Sequence, residues 1–379
     1  MAAAVFRRAL FYDLVGVGLT AYCRCAYRVR TVGQQLRLEP STLLVANHPR
    51  ESDPVVMVGG LYPVVQRIGR PQRLVHFMLR PDLRERGFFA GMPRHLPLWA
   101  RRLLFPIGVG PLLERWLPCA PIRAAGTMLV VDLVRAAPDS PLEELLPPAE
   151  LGRLRERATQ LARERPLFGH DVLQGVYADL LWWVVRADEA PSELAKSLFA
   201  QRATMARADL ERFADVIRSG GVLLISPEGR ASPDGCLQPL KRGALLLVRR
   251  AKPARVWPLA LAYDSLTRGR TWAYIGVGTP VPAEEARSEE ALRALLSRTI
   301  PLTVGQIVAD ALESGSVGSL ERRLADEVAE ARAHGRPVDR DLFDNDVRRS
   351  RLQEALAAAE VHPERLPRLV TSYRSARAI

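Results

Sequence analysis

Thr42-Leu43-Leu44-Val45-Ala46-Asn47-His48-Pro49-Arg50-Glu51-Ser52-Asp53-Pro54 decides how the chain is read. The run 42–46 has the composition of a short, fully buried strand. It breaks into a polar turn that holds a histidine, with an aspartate five residues on. Pro54 then suits the first position of a helix. The pattern recurs at Val222-Leu223-Leu224-Ile225-Ser226-Pro227-Glu228-Gly229-Arg230, ahead of a helical run over 240–250. Strand, polar turn and helix in succession form the unit of an α/β sheet.

Working outward, strands are predicted over 42–46, 73–78, 222–226, 256–262 and 272–277, and helices over 54–65 and 240–250. The fold class this implies is α/β: a mixed, mostly parallel central sheet flanked by helices. In such sheets functional residues gather where strands end. The α/β domain spans 41–283, with a helical insertion at about 136–201. Pro138, Pro141, Pro147 and Pro148 mark a loop in that insertion. A charged amphipathic helix over 151–165 follows, then an apolar helix over 172–185 carrying Trp182-Trp183, either packed in a core or facing lipid. Residues 284–379 form a helical C-terminal region, with helical spacing over 288–297, 302–313, 320–333 and 348–359.

Residues 1–40 are basic and apolar. Phe6 to Tyr27 is interrupted by Arg7, Arg8, Asp13 and Arg24, so no run reaches the roughly 18 to 20 apolar residues that span a bilayer. The segment suits a helix on a membrane surface, or one packed on the domain. The formal charge is +12, almost all from arginine, with lysine only at Lys196, Lys241 and Lys252. Such a surface attracts nucleic acid, anionic lipid or a phosphorylated cofactor. No nucleic-acid motif with interleaved aromatics is present, so no nucleic acid is expected. Cys23, Cys25, Cys119 and Cys236 fit neither a disulfide framework nor a zinc site, and no metal is expected. Cys23 and Cys25 read as buried thiols, and a reducing cytoplasm suits the set.

A neutral imidazole held in one tautomer can take a proton from a hydroxyl, and a carboxylate on its other nitrogen holds it so. His48 and Asp53 have that spacing. Asp53 also suits the N-cap of the helix that follows, a complete structural explanation in itself. Pro227-Glu228-Gly229 puts an acid on a turn where glycine admits close backbone approach. Arg230, Lys241 and Arg242 could hold phosphate.

Asn47-His48, four residues, then Asp53 resembles the first block of the glycerolipid acyltransferase family, which includes lysophosphatidic acid and glycerol-3-phosphate acyltransferases. Ser226-Pro227-Glu228-Gly229 resembles its Pro-Glu-Gly block. Asp234-Gly235, Leu240-Lys241-Arg242-Gly243 and Val256-Trp257-Pro258-Leu259-Ala260-Leu261-Ala262-Tyr263 resemble the stretches that follow. The resemblance covers roughly 6–280, outside the insertion. It departs at Arg230-Ala231-Ser232, where the family commonly has Thr-Arg-Ser. The family's arginine-bearing second block corresponds to Arg123 or to Arg202, with Arg123 favoured.

The resemblance implies acyl transfer from acyl-CoA or an acyl-carrier protein to a glycerol hydroxyl, with no cofactor beyond that co-substrate. The acceptor it favours is 1-acylglycerol-3-phosphate; glycerol-3-phosphate or another lipid alcohol is the alternative. His48 would be the base and Asp53 its orienter. Glu228 would bind an acceptor hydroxyl, Gly229 would open backbone access, and Arg123, Arg230, Asn47 and Lys241 would complete the binding set. Backbone amides near the His turn would receive the thioester oxyanion. Peripheral attachment to an anionic membrane, on the cytoplasmic side, is expected. The same His-Asp pair could also serve hydrolysis of a thioester or lipid ester, although no Gly-x-Ser-x-Gly elbow is present.

Overall fold

The computed structural model describes residues 2–50, 52–65, 74–79, 99, 103, 114–115, 117–157, 165–173, 177–181, 183–232 and 234–377. They fall into two compact units, Met1–Phe77 with Phe213–Ile379, and Met78–Arg212. The insertion expected at about 136–201 falls inside the second.

In chain order come helix α1 (Ala2–Ala26), strands β1 (Arg28–Gly33) and β2 (Thr42–Ala46), helix α2 (Asp53–Val65) and strand β3 (Val75–Leu79). The second unit carries β4 (Cys119–Pro121), β5 (Thr127–Leu129), α3 (Val130–Ala136), α4 (Leu142–Leu145) and α5 (Pro148–Arg157). It continues through α6 (Gly169–Val172), α7 (Ala178–Leu181), β6 (Val184–Arg186) and the start of α8 (Glu193–Arg218). The chain then forms β7 (Val222–Ile225), α9 (Arg242–Ala251), β8 (Arg255–Asp264) and β9 (Trp272–Val277). Five further helices end it: α10 (Glu289–Thr299), α11 (Val304–Glu313), α12 (Leu320–Ala333), α13 (Asn345–Val361) and α14 (Leu366–Arg377).

The first unit is built on strands in the order β1-β9-β8-β2-β7-β3. The described pairings are parallel except β8 with β9, so the sheet is mixed and mostly parallel, as expected. β2 sits in the middle, and all of its residues are buried. A central parallel strand is covered on both faces, which is why 42–46 is apolar without alternation. β1 was not among the expected strands. It lies at the sheet edge, where Arg28 and Arg30 alternate with Val29 and Thr31 and lay their guanidinium groups over the Trp272 ring. Charge on an edge strand discourages further pairing and masks the strand pattern.

α1 and α2 pack closely. A Cβ on Gly59 would lie 2.6 Å from the Leu19 carbonyl oxygen, so only glycine permits the approach. Thr20 donates its hydroxyl to the Gly59 carbonyl at 2.8 Å. Tyr12 and Cys23 are buried in this contact, whereas Cys25 is exposed, so only one of the two neighbouring thiols is interior. Away from the contact, Leu10, Leu14, Val17 and Tyr22 are exposed.

In the second unit the apolar helix expected over 172–185 does not form. α6 ends at Val172, α7 spans a single turn, and Val184–Arg186 is a strand paired antiparallel with β5. The β-branched pair Val184-Val185 gains more from that antiparallel pairing than from continuing a helix. Trp182 lies outside the described residues. Trp183 packs against the second unit's core beneath the Arg153 guanidinium, which favours the core reading over the lipid one. The described part of the amphipathic helix expected over 151–165 is α5; residues 158–164 lie outside the described residues, as does residue 73 of the strand expected over 73–78.

The four helical runs read in the C-terminal region correspond to α10–α13, and α14 adds a fifth. α11, α13 and α14 share a core that includes Ile307, Val308, Leu352 and Leu369.

Candidate active site

β2 lies between β8 and β7, parallel to both, so all three strands release their chains at the same edge of the sheet. The β2–β7 register pairs Thr42 with Val222 and Val45 with Ile225. Continued past the strand ends, the same register sets His48 beside Glu228. The His48 amide donates to Glu228 Oε1 at 2.6 Å, and the Gln238 amide to Oε2 at 2.7 Å. The Ser232 amide donates to the His48 carbonyl oxygen at 2.7 Å. Two turns far apart in sequence are thereby held as one piece.

β8 outruns β2 and supplies the third side. Asn47 uses its side-chain amide as a substitute strand. Nδ2 donates to the Leu261 carbonyl oxygen at 3.1 Å, and Oδ1 accepts from the Leu261 amide at 2.6 Å. Two residues on, Tyr263 donates its hydroxyl to Asp53 Oδ1 at 2.6 Å. Asp53 Oδ2 accepts from the Arg50 amide at 2.6 Å and stands 3.0 Å from His48 Nδ1.

The helix-cap reading of Asp53 is therefore not what the carboxylate does. Its partners are the Arg50 amide, the Tyr263 hydroxyl and the imidazole; at the start of α2 the amides of Val55 and Val56 bond to the Ser52 carbonyl oxygen instead. A carboxylate at Nδ1 selects the tautomer with the proton there, leaving the Nε2 lone pair as acceptor. Nε2 makes no hydrogen bond among the described residues, and the His48 side chain keeps 15% exposure. An oriented imidazole with one open nitrogen can take a proton from a bound hydroxyl.

Burial and the negative charge of Asp53 push the Tyr263 phenol far above its usual range, so it remains a donor to Asp53. Burial pushes the Glu228 carboxyl up, while the Gln238 and His48 amides pull it back. Glu228 is buried, and each oxygen accepts one amide; its visible work is to hold the His48 backbone.

Gly229 has φ +69°, a conformation that disfavours a side chain, and a Cβ there would meet Lys241 Cγ at 3.1 Å. The Lys241 amide donates to the Pro227 carbonyl oxygen at 2.7 Å, which lays the lysine stem beside the Glu228 turn. Gly229, Arg230 and Lys241 are exposed, and neither cation pairs with a carboxylate among the described residues.

Arg123 and Arg202, the sequence candidates for a phosphate-binding arginine, belong to the second unit. There Arg123 Nη1 contacts both Asp209 oxygens, at 3.0 and 3.1 Å, and Arg202 pairs with Asp132 at 2.9 Å. The expected oxyanion donors of the His turn are partly engaged: the amides of His48 and Arg50 point to Glu228 and Asp53, Pro49 has none, and Glu51 lies outside the described residues.

Three contributors escaped the sequence reading. Tyr263 shares a strand face with Leu261 and was legible by alternation. The side chain of Arg50 lies over the Tyr263 ring at 4.1 Å. Arg368 of α14 donates through Nη2 to the Pro49 carbonyl oxygen and, at 3.1 Å, to that of Ser232, so the C-terminal region clips the two turns together. No local signal marks Arg368.

No protein-family model and no curated protein matches the chain. Among solved structures it is similar to the crystal structure of the 1-acyl-sn-glycerophosphate (LPA) acyltransferase PlsC from Thermotoga maritima. The identity is 14%, the alignment covers 79% of this chain and 84% of that one, and the TM-score is 0.40.

Proposed function

We propose that the chain is an acyltransferase that moves a fatty acyl group from an acyl-CoA or acyl-carrier-protein thioester to a glycerol hydroxyl. The acceptor we infer is 1-acylglycerol-3-phosphate. The observation that carries this is His48, with Nδ1 on Asp53 and Nε2 open. In this mechanism Nε2 takes the acceptor's hydroxyl proton as its oxygen attacks the thioester carbonyl. The C–S bond of the tetrahedral intermediate then breaks, and the departing thiolate takes the proton from His48. Asp53, braced by Arg50 and Tyr263, stabilises the imidazolium between the two steps. Glu228 holds the His48 backbone in position and offers its remaining lone pairs to an acceptor hydroxyl. Lys241 and Arg230 supply positive charge beside the same turn for the acceptor phosphate or the developing oxyanion.

Among the described residues no helix is long and apolar enough to cross a membrane. The exposed face of α1, with Leu10, Leu14, Val17 and Tyr22, supports peripheral attachment to an anionic membrane, the apolar residues entering the interface.

The test is thiol release from long-chain acyl-CoA by the full chain, with and without 1-acylglycerol-3-phosphate, and identification of the lipid product. Acceptor-dependent release that yields acylated acceptor is expected, and His48→Ala should abolish it while the fold survives. Full activity in His48→Ala would sink the reading. Free fatty acid as the sole product would point to hydrolysis instead.

A further inference from the structure

Next to the His48 turn lies a cavity of about 320 Å³, at the lower end of the range for small-molecule sites. Its walls include Arg50, Leu261 and Tyr263 on one side and Arg365, Arg368 and Leu369 on the other. Among the described residues that line it, Arg50, Arg365 and Arg368 outnumber the one acid, Glu364. Arg365 is accounted for: Nη1 donates to the Ser265 carbonyl oxygen at 2.9 Å, and Nε lies 3.7 Å from Glu364. Among the described residues Arg368 spends only Nη2, and on carbonyl oxygens, which leave its charge intact. The Arg50 guanidinium stacks on Tyr263 and has no hydrogen-bond acceptor among the described residues. Asp53 is already shared by the Arg50 amide, Tyr263 and His48.

Burial and the positive charge of Arg368 lower the Arg50 pKa, against the pull of Tyr263, Tyr27 and Asp53. Two like charges held together with partial loss of water are unfavourable unless an anion joins them. Guanidinium forks match phosphate oxygens in geometry as well as charge.

We propose that this cavity is a binding site for a phosphate monoester, with the forks of Arg50 and Arg368 on the phosphate oxygens and Leu261 and Leu369 against its carbon skeleton. The phosphate could belong to an acceptor, to the nucleotide end of a donor, or be free in solution. The site stands apart from the acyl-transfer reading, because its occupancy is measured without turnover.

The experiment is calorimetric titration of the full chain, at fixed ionic strength, with glycerol 3-phosphate, inorganic phosphate, coenzyme A, dephospho-coenzyme A and glycerol. Saturable binding of at least one phosphate compound, and none of glycerol, is expected. Arg50→Met and Arg368→Met should each weaken it at least about tenfold, while Arg322→Met, on an exposed face, leaves it unchanged. Preference for glycerol 3-phosphate assigns the source to an acceptor. Preference for coenzyme A over its dephospho form assigns it to a donor, and equal binding of inorganic phosphate to free phosphate.

If either variant fails to fold, phosphate protection of wild-type Arg50 and Arg368 from phenylglyoxal, read by peptide mass, replaces it. Absence of saturable binding, an equal loss in Arg322→Met, or absence of protection overturns the proposal. Phosphate binding without thiol release would sink the acyl-transfer reading and leave this site standing; the converse would sink this site alone.

Discussion

Asp53 in the first unit and Asp209 in the second are both buried aspartates, 3% and 2% exposed, each held by several donors. Their partners differ. Asp209 accepts from the Arg123 amide and guanidinium and from Arg212, so positive charge answers its own. Asp53 accepts from an amide and a phenol, both neutral, and its remaining hydrogen-bond partner among the described residues is an imidazole with an open nitrogen. The first arrangement is closed: it orders a loop against α8 and is complete. The second is unfinished, since its charge is best answered when His48 gains a proton. Burial and ligation of a carboxylate do not distinguish structure from chemistry; what the last partner can still do distinguishes them.

The sharpest attempt to break this contrast is substitution at the dyad. Asp53→Asn should cut acyl transfer by about 10³–10⁴-fold with little change in shape, because the amide no longer selects the working tautomer. His48→Ala should do at least as much, and steady-state thiol release reads both. A loss below tenfold in Asp53→Asn would place the two aspartates in the same class.

Asp209→Ala should show the opposite balance. It leaves Arg123 without its carboxylate, at a cost of about 3–5 kcal/mol in stability. Denaturant titration should record a larger fall than for Asp53→Asn, and the rate per folded molecule a smaller one.

Tyr263→Phe removes one charge-assisted hydrogen bond from Asp53, worth about 1.5–3 kcal/mol. It should lower both stability and rate, by about tenfold in rate, since the carboxylate loses a brace and keeps the His48 contact. A rate loss as large as that of Asp53→Asn would make Tyr263 more than a brace.

The smallest effect concerns pH. Burial raises the Glu228 carboxyl pKa, so the folded state binds that proton more tightly than the unfolded chain does. Its contribution to stability is present below the unfolded pKa and lost as pH rises through the folded one. The stability of wild type relative to Glu228→Gln should therefore fall with rising pH. Thermal midpoints across the acidic range check this, and a difference that grows with pH would reverse the sign.

The two strand–turn segments were legible because each is a local pattern: a short apolar run, then polar residues, then a helix. The regular C-terminal helices were legible by period. Elements governed by distant partners were not. β1 hides behind alternating arginines that rest on Trp272, and Val184–Arg186 becomes a strand only because 127–129 lies beside it. Arg368 reaches across 319 residues to Pro49 and carries no mark in its own neighbourhood.

By itself the sequence determined that two polar turns end two strands of an α/β sheet, and that His48, Asp53 and Glu228 stand on them. Strand propensity, turn chemistry and the spacing of apolar residues are local, so they survive in one dimension. Only the tertiary structure decided that β2 and β7 are parallel neighbours in matched register, so that Glu228 grips the His48 amide. It decided too that Asp53 spends its oxygens on Arg50, Tyr263 and His48 rather than on its helix, and that Arg50 and Arg368 face one cavity with neither paired to a carboxylate among the described residues. Hydrogen bonding and electrostatics at a site depend on which groups meet in space, and the chain order of those groups carries no record of it.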